Sequence, residues 1–376
     1  MKRNVGALLI KIFILSVPIA LLFFIMCWAM WTSGELMSVK DILRNETPAT
    51  LFGLAYSDPK ERYKLNKLIK KNPVIIALGS SRVMQFREIF FKPSFYNAGG
   101  CAGRIKNFSQ FMAHLPNEMK CTTMIVGLDQ NFFNPNWDDF GPDHFLDLLE
   151  KERSRGPLLV SSFQKFWFDF MTKGISLSKI ANNRWSEAIG LNAIVQSNGF
   201  QDDGGYQRGP PANNLIREIP NFAAEPGSDA ILKEGSRLAA FKGINVNAIN
   251  ELDRFLAACK MRNIHVIAFF PPFPEDVYDK LLELKPDFTG FFQLPKLVSP
   301  HLKTFGFEFY DFTNPRTLGA QNMEFCDSIH GSDTVYLRIV IGMALRGSSI
   351  NQSIDLNSLA KMLNDSKGGK SVFPLK

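Results

Sequence analysis

The first pattern in the chain is an unbroken apolar run over residues 12–31, with Lys2, Arg3 and Lys11 before it and Glu35 after it. Twenty residues at about 1.5 Å each give about 30 Å, the thickness of a bilayer core. Pro18 lies inside the run, and membrane helices tolerate proline. The basic residues upstream put the N-terminus in the cytoplasm and the rest of the chain outside it. Trp28 and Trp31 sit where interfacial aromatics belong. A secretory signal peptide would have a shorter apolar core and an A-x-A-like cleavage site. Cys27 follows Phe24-Ile25-Met26 rather than the small residues of a lipoprotein site. An uncleaved transmembrane anchor over residues 1–32 is the expectation.

Beyond a polar juxtamembrane segment (33–72), the pattern changes to short, continuous apolar runs. Residues 74–78, Val-Ile-Ile-Ala-Leu, read as a strand buried on both faces. Residues 95–98, 122–127, 264–270 and 307–309 read as four more strands. Helical patterns lie between them, notably over 105–115 and 247–261. Strands alternating with helices predict an α/β fold, a three-layer α/β/α sandwich around a mostly parallel sheet. The domain is placed at 73–348. It carries an insertion at about 134–243, whose first half looks helical and whose second half is rich in Gly, Pro and Asn. Residues 349–376 read as a polar tail.

Composition changes this picture little. The formal charge of +7 is spread along the chain without aromatic interleaving, so nucleic-acid binding is not expected. The five cysteines, at 27, 101, 121, 259 and 326, form no zinc-ligand spacing. Outside the cytoplasm Cys101 and Cys121 are a candidate disulfide, and free buried thiols are the equal alternative. Neither a metal nor an organic cofactor is implied.

Candidate chemistry gathers at the carboxyl ends of the strands, where open α/β sheets place their sites. Gly79-Ser80-Ser81-Arg82 follows the first strand, Asn97-Ala98-Gly99-Gly100-Cys101-Ala102-Gly103 the second, and Gly127-Leu128-Asp129-Gln130-Asn131 the third. Asp327-Ser328-Ile329-His330 follows the fifth. A serine hydroxyl needs an adjacent base to act as a nucleophile. Ser81 is the candidate nucleophile, His330 its base, and Asp327 the carboxylate that orients the ring. The bland alternatives are a helix N-cap for Ser81 and a surface pair for Asp327 and His330. Arg82 can contact an anionic substrate or pair with a carboxylate such as Asp129. Residues 269–274, Phe-Phe-Pro-Pro-Phe-Pro, are read as an apolar rim for an acyl chain or sugar ring, with core packing alone as the alternative.

These four blocks, in this order, resemble those of the SGNH (GDSL-like) hydrolase superfamily. The likeness is to membrane-anchored members acting on envelope polymers, such as the D-alanyl-lipoteichoic acid transfer proteins and the alginate O-acetylation proteins. Gly79-Ser80-Ser81 takes the place of G-D-S, and Asp327-Ser328-Ile329-His330 matches D-x-x-H. The resemblance implies a flavodoxin-like fold and an oxyanion hole with a glycine N–H from Gly100 or Gly103. It also implies a serine esterase or O-acyltransferase acting on acyl, chiefly acetyl, esters of an extracytoplasmic glycan. The implied setting is the cytoplasmic membrane of a bacterium, with one span and the bulk of the chain outside. The partners would be that glycan or an acylated small molecule, and a membrane acyltransferase. One block departs from the pattern: G-x-N-D reads Gly127-Leu128-Asp129-Gln130 here. An ionised Asp129 would repel an oxyanion. Either Asn131, two residues along a continued strand, donates instead, or Asp129 is protonated, or backbone N–H groups suffice. The departure also favours an alternative: a non-catalytic SGNH-like subunit that binds a glycan or an acyltransferase partner.

Overall fold

The computed structural model of the chain describes residues 2–137, 144–152, 155–209, 238–366 and 368–373. The chain divides into two compact units. The larger comprises Lys60–Glu150, Asp203–Tyr206 and Pro211–Lys376; the smaller comprises Met1–Pro59, Lys151–Asp202 and Gln207–Pro210.

The larger unit is built on five strands, β1 (Ile75–Gly79), β2 (Phe95–Gly99), β3 (Thr123–Gly127), β4 (His265–Phe270) and β5 (Glu308–Asp311). They lie in the order β2-β1-β3-β4-β5, and every neighbouring pair is parallel. Helices cover both sides, so the fold is α/β with a mostly parallel sheet. Every residue of β1 and β2 is buried, which is why these strands read as continuous apolar runs rather than alternating ones. The core of this unit is one cluster centred on the sheet, with Ile75, Ile76, Met124, Ile125, Val266 and Ile267 all fully buried.

This strand order fixes where a site can form. The chain leaves β1 toward β2 on one side, and leaves β3 toward β4 on the other. The carboxyl ends of β1 and β3, neighbours in the sheet, therefore form a topological switch point, where open sheets of this order bind their ligands.

All three of these strands end in glycine, at Gly79, Gly99 and Gly127. The cause is the turn that follows β1, a single 3-10 turn over Ser81–Val83. Val83 drops onto the strand ends. A Cβ on Gly79 would lie 2.5 Å from Val83 Cγ2, and one on Gly127 only 2.3 Å from the same atom. A Cβ on Gly99 would lie 2.8 Å from Met84 N and 2.9 Å from Val83 C. The glycines are the floor on which this turn rests.

In the smaller unit, the first helix runs over Lys2–Thr32. Its Ile10–Thr32 stretch is long and apolar enough to cross a membrane. Phe13, Leu15 and Phe24 are exposed along it, whereas Met26, Ala29 and Met30 near its end are fully buried. The buried end packs with Leu158, Phe166, Ile180 and Leu191. Just past the helix, Glu35 is buried and accepts the N–H groups of Ala55 (2.7 Å), Leu191 (2.7 Å) and Tyr56 (3.3 Å). Burial pushes its carboxyl up to about 7 in spite of these donors.

Candidate active site

Two serines follow β1, and they divide the work. Ser80 caps the turn: its Oγ accepts the N–H of Arg82 at 3.1 Å and donates to Asp129 Oδ2 at 2.6 Å. That second bond bridges the ends of β1 and β3 across the switch point. With Ser80 as the cap, the hydroxyl of Ser81 is left for another partner. Its Oγ lies 2.9 Å from His330 Nε2.

His330 is held by its own loop. Its Nδ1 lies 2.8 Å from each oxygen of Asp327. Asp327 Oδ1 also accepts the backbone N–H of Ile329 at 3.0 Å and of His330 at 2.8 Å. The loop is closed by a bond from Cys326 N to His330 O at 2.8 Å and by the bridge of Phe325 with Gly331. The acid therefore fixes the loop and the ring at once. In the matching tautomer, Nδ1–H donates to Asp327, and Nε2 accepts the Ser81 hydroxyl proton. Ser81, Asp327 and His330 are all partly exposed, in contrast to the buried residues around them.

Arg82 is 3% exposed, and its hydrogen bonds tie its own turn to three other segments. Nε donates to Ile329 O at 3.1 Å, one residue before His330. One terminal nitrogen donates to Gln130 Oε1 at 2.8 Å, the other to the carbonyls of Pro271 (3.1 Å) and Pro272 (2.8 Å). The guanidinium also lies 4.2 Å from the ring centroid of Phe273. This changes the reading of residues 269–274: they are buried, so they anchor Arg82 and do not form a rim.

The oxyanion candidates separate in the same way. Gly100 has φ +90°, and its N–H is committed to the carbonyls of Gly79 and Ser80, both at 2.9 Å. Gly103 borders open space, where a Cβ would meet nothing within 4 Å. Asn131 is not on a continued strand. β3 ends at Gly127, and Gln130–Phe133 form a 3-10 turn, so the two-residue face rule does not relate Asn131 to Asp129. Both are buried, and Asn131 Nδ2 and Asp129 Oδ1 have no hydrogen-bond partner among the described residues.

Three supporting residues, two of them inside the strand-end blocks, carry no role assigned from the sequence. Gln130 accepts from Arg82 and donates to Pro271 O and Thr313 Oγ1. Asn97 donates to the carbonyls of Val83 (3.0 Å) and Phe86 (2.9 Å), holding the segment after Ser81. Lys64, fully buried, donates to the carbonyls of Gly99 and Gly204, and its burial pulls the ammonium down to about 8. Asn97 heads the second strand-end block, but nothing there shows that it holds the segment after Ser81. Lys64 sits among other charged residues of its helix and leaves no trace. The five cysteines are free thiols, Cys101 and Cys121 included. Among the described residues no group of three or more His, Cys, Asp or Glu side chains is placed to hold a metal ion.

A serine hydroxyl, an imidazole and a carboxylate in series can generate a nucleophile and return its proton. Compared with known proteins, the chain matches no family model and no curated protein.

Proposed function

We propose that the chain is a membrane-anchored serine esterase or O-acyltransferase of SGNH type, acting outside the cytoplasm on acyl, chiefly acetyl, esters of an envelope glycan. The observation that carries this reading is the run of hydrogen bonds from Ser81 through His330 to Asp327, at 2.9 Å and 2.8 Å. Ser81 Oγ attacks the acyl carbonyl while His330 Nε2 takes its proton. The tetrahedral intermediate collapses, and His330 returns the proton to the leaving alcohol. Water or a sugar hydroxyl then attacks the acyl-enzyme with His330 again as base; the acyl bond to Ser81 Oγ breaks, the acid or new ester leaves, and His330 returns the proton to Ser81. Asp327 holds Nδ1–H and stabilises the imidazolium. Backbone N–H groups of Ser81 and Gly103 are assigned to the oxyanion, because that of Gly100 is committed elsewhere. The Asn131 amide is a second donor in reserve. The anchor supports the substrate class, since it keeps the site beside growing envelope polymer.

The test is labelling of the full chain by a fluorophosphonate probe. Wild type is expected to label and Ser81→Ala to remain folded and unlabelled. Absence of labelling in wild type would refute catalysis. Asp129, in the place of the family's asparagine, favours a second reading: a non-catalytic subunit that binds a glycan or a membrane acyltransferase. That reading predicts that Ser81→Ala complements a null strain fully. The topology, from Lys2, Arg3 and Lys11, predicts that protease added outside the cell digests the bulk of the chain.

A further inference from the structure

The helix Arg155–Thr172 has two features that a water-facing helix does not combine. Its inner side packs on the end of the first helix: Leu158 and Phe166 are buried with Met26, Ala29 and Met30. Its outer side carries Val160, Phe168 and Met171 at 74%, 59% and 75% exposure, with the exposed Gln164 between the first two. Three large apolar side chains on one exposed face mark an interaction surface.

The depth of the contact says what covers it. Phe163 of this helix meets Phe23 of the first, with ring centroids 6.0 Å apart. Phe23 lies nine residues before the end of the Ile10–Thr32 stretch, about 13 Å along the helix. If that stretch crosses a bilayer, Phe23 lies inside the hydrocarbon, and whatever packs on it is carried there too. Between its first and last turns the backbone groups of a helix are satisfied internally, so the middle of this element can enter lipid while its ends stay in the headgroup layer. Its cation is accommodated: Lys165 Nζ donates to Ala55 O at 3.4 Å and lies 5.4 Å from the Tyr56 ring centroid. Arg155 and Lys173, at the two ends of the helix, suit the headgroup layer.

We infer that Arg155–Thr172 is a second membrane element, a helix embedded in one leaflet beside the span, with Val160, Phe168 and Met171 in contact with lipid acyl chains. The inference rests on the reading of Ile10–Thr32 as a span. It adds a second attachment, which restricts rotation about the span, so the smaller unit is held at the bilayer surface at two places.

The test uses the full chain in nanodiscs of phosphatidylcholine and phosphatidylglycerol. Cys27 and Cys326, the two thiols that are not buried, are first replaced by alanine. A cysteine is then introduced singly at Val160, Phe168, Met171 or Ile19 and labelled with an environment-sensitive fluorophore. Three separate sites on the helix guard against one variant failing to fold. Loss of fluorescence to doxyl-labelled lipid, and none to aqueous iodide, is expected at Val160, Phe168 and Met171 as well as at Ile19. Iodide quenching at the first three with lipid quenching at Ile19 would overturn the inference and leave the span. Protection from both quenchers at the first three would mean that a protein covers the face, and also overturns it. Iodide quenching at Ile19 would remove the span and the inference together.

Discussion

Adjacent serines with different partners make the sharpest predictions at the residue scale. Ser81→Ala removes the group facing His330 Nε2 and should abolish probe labelling while thermal stability is retained. Ser80→Ala keeps the candidate nucleophile. It strips the cap from the Ser81 turn and leaves Asp129 Oδ2 buried without its donor. A loss of about 1–3 kcal/mol in urea unfolding is expected, with labelling slowed but present. Equal behaviour of the two variants would contradict this division. Asp327→Asn should slow labelling by about 10⁴-fold, since an amide no longer holds the ring in the tautomer that accepts from Ser81. Asp327 and His330 are legible in the sequence because a single loop of four residues brings them together. Three acceptors of Arg82 are not, because they are the carbonyls of Ile329, Pro271 and Pro272, groups that every residue possesses.

Among the elements, the turn after β1 and the strand ends beneath it fit one another by size. Gly127→Ala would drive a methyl group into Val83, at a cost of about 1–3 kcal/mol. Val83→Ala alone leaves a small cavity, also destabilising. The double variant should be more stable than the sum of the single losses predicts, a coupling that a double-mutant cycle in urea measures. Additive losses would mean that the two do not meet. The strands themselves are readable as runs because burial on both faces removes alternation, and their observed ends differ from the sequence reading by one or two residues. What defeats the sequence reading is the chain just past the strands. Extension of β3 to Asn131 assumes strand geometry, whereas the backbone tightens to a 3-10 turn at Gln130. A glycine ending a strand reads as a loop signal, so its role as a floor for Val83 shows only once β1, β2 and β3 lie side by side.

For the whole molecule, a carboxyl buried beside an ion pair sets a pH dependence. Arg87 bonds Asp203 at 2.9 Å and lies 3.7 Å from Asp333, joining three distant stretches of the larger unit. Burial pushes the Asp333 carboxyl up to about 7, against the pull of Arg87. The folded state then holds a proton that the unfolded chain releases near pH 4. Stability from this group is therefore full below about pH 4 and is lost as pH rises to about 7. Urea unfolding across this range should show a steeper decline for wild type than for Asp333→Asn; parallel curves would refute the assignment. No spacing in the sequence announces this cluster. The fold class, by contrast, is legible from end to end, since it depends on the repeated alternation of strand and helix and not on any single pairing. The distance along the chain between Ser81 and His330, 249 positions, has a consequence in time. A ribosome adding about 5–20 residues per second needs roughly 12–50 s after making the serine to deliver the histidine. Throughout that interval the serine has been made, yet no base faces its hydroxyl. A chain that stops before residue 330 would carry Ser81 without the imidazole that faces it.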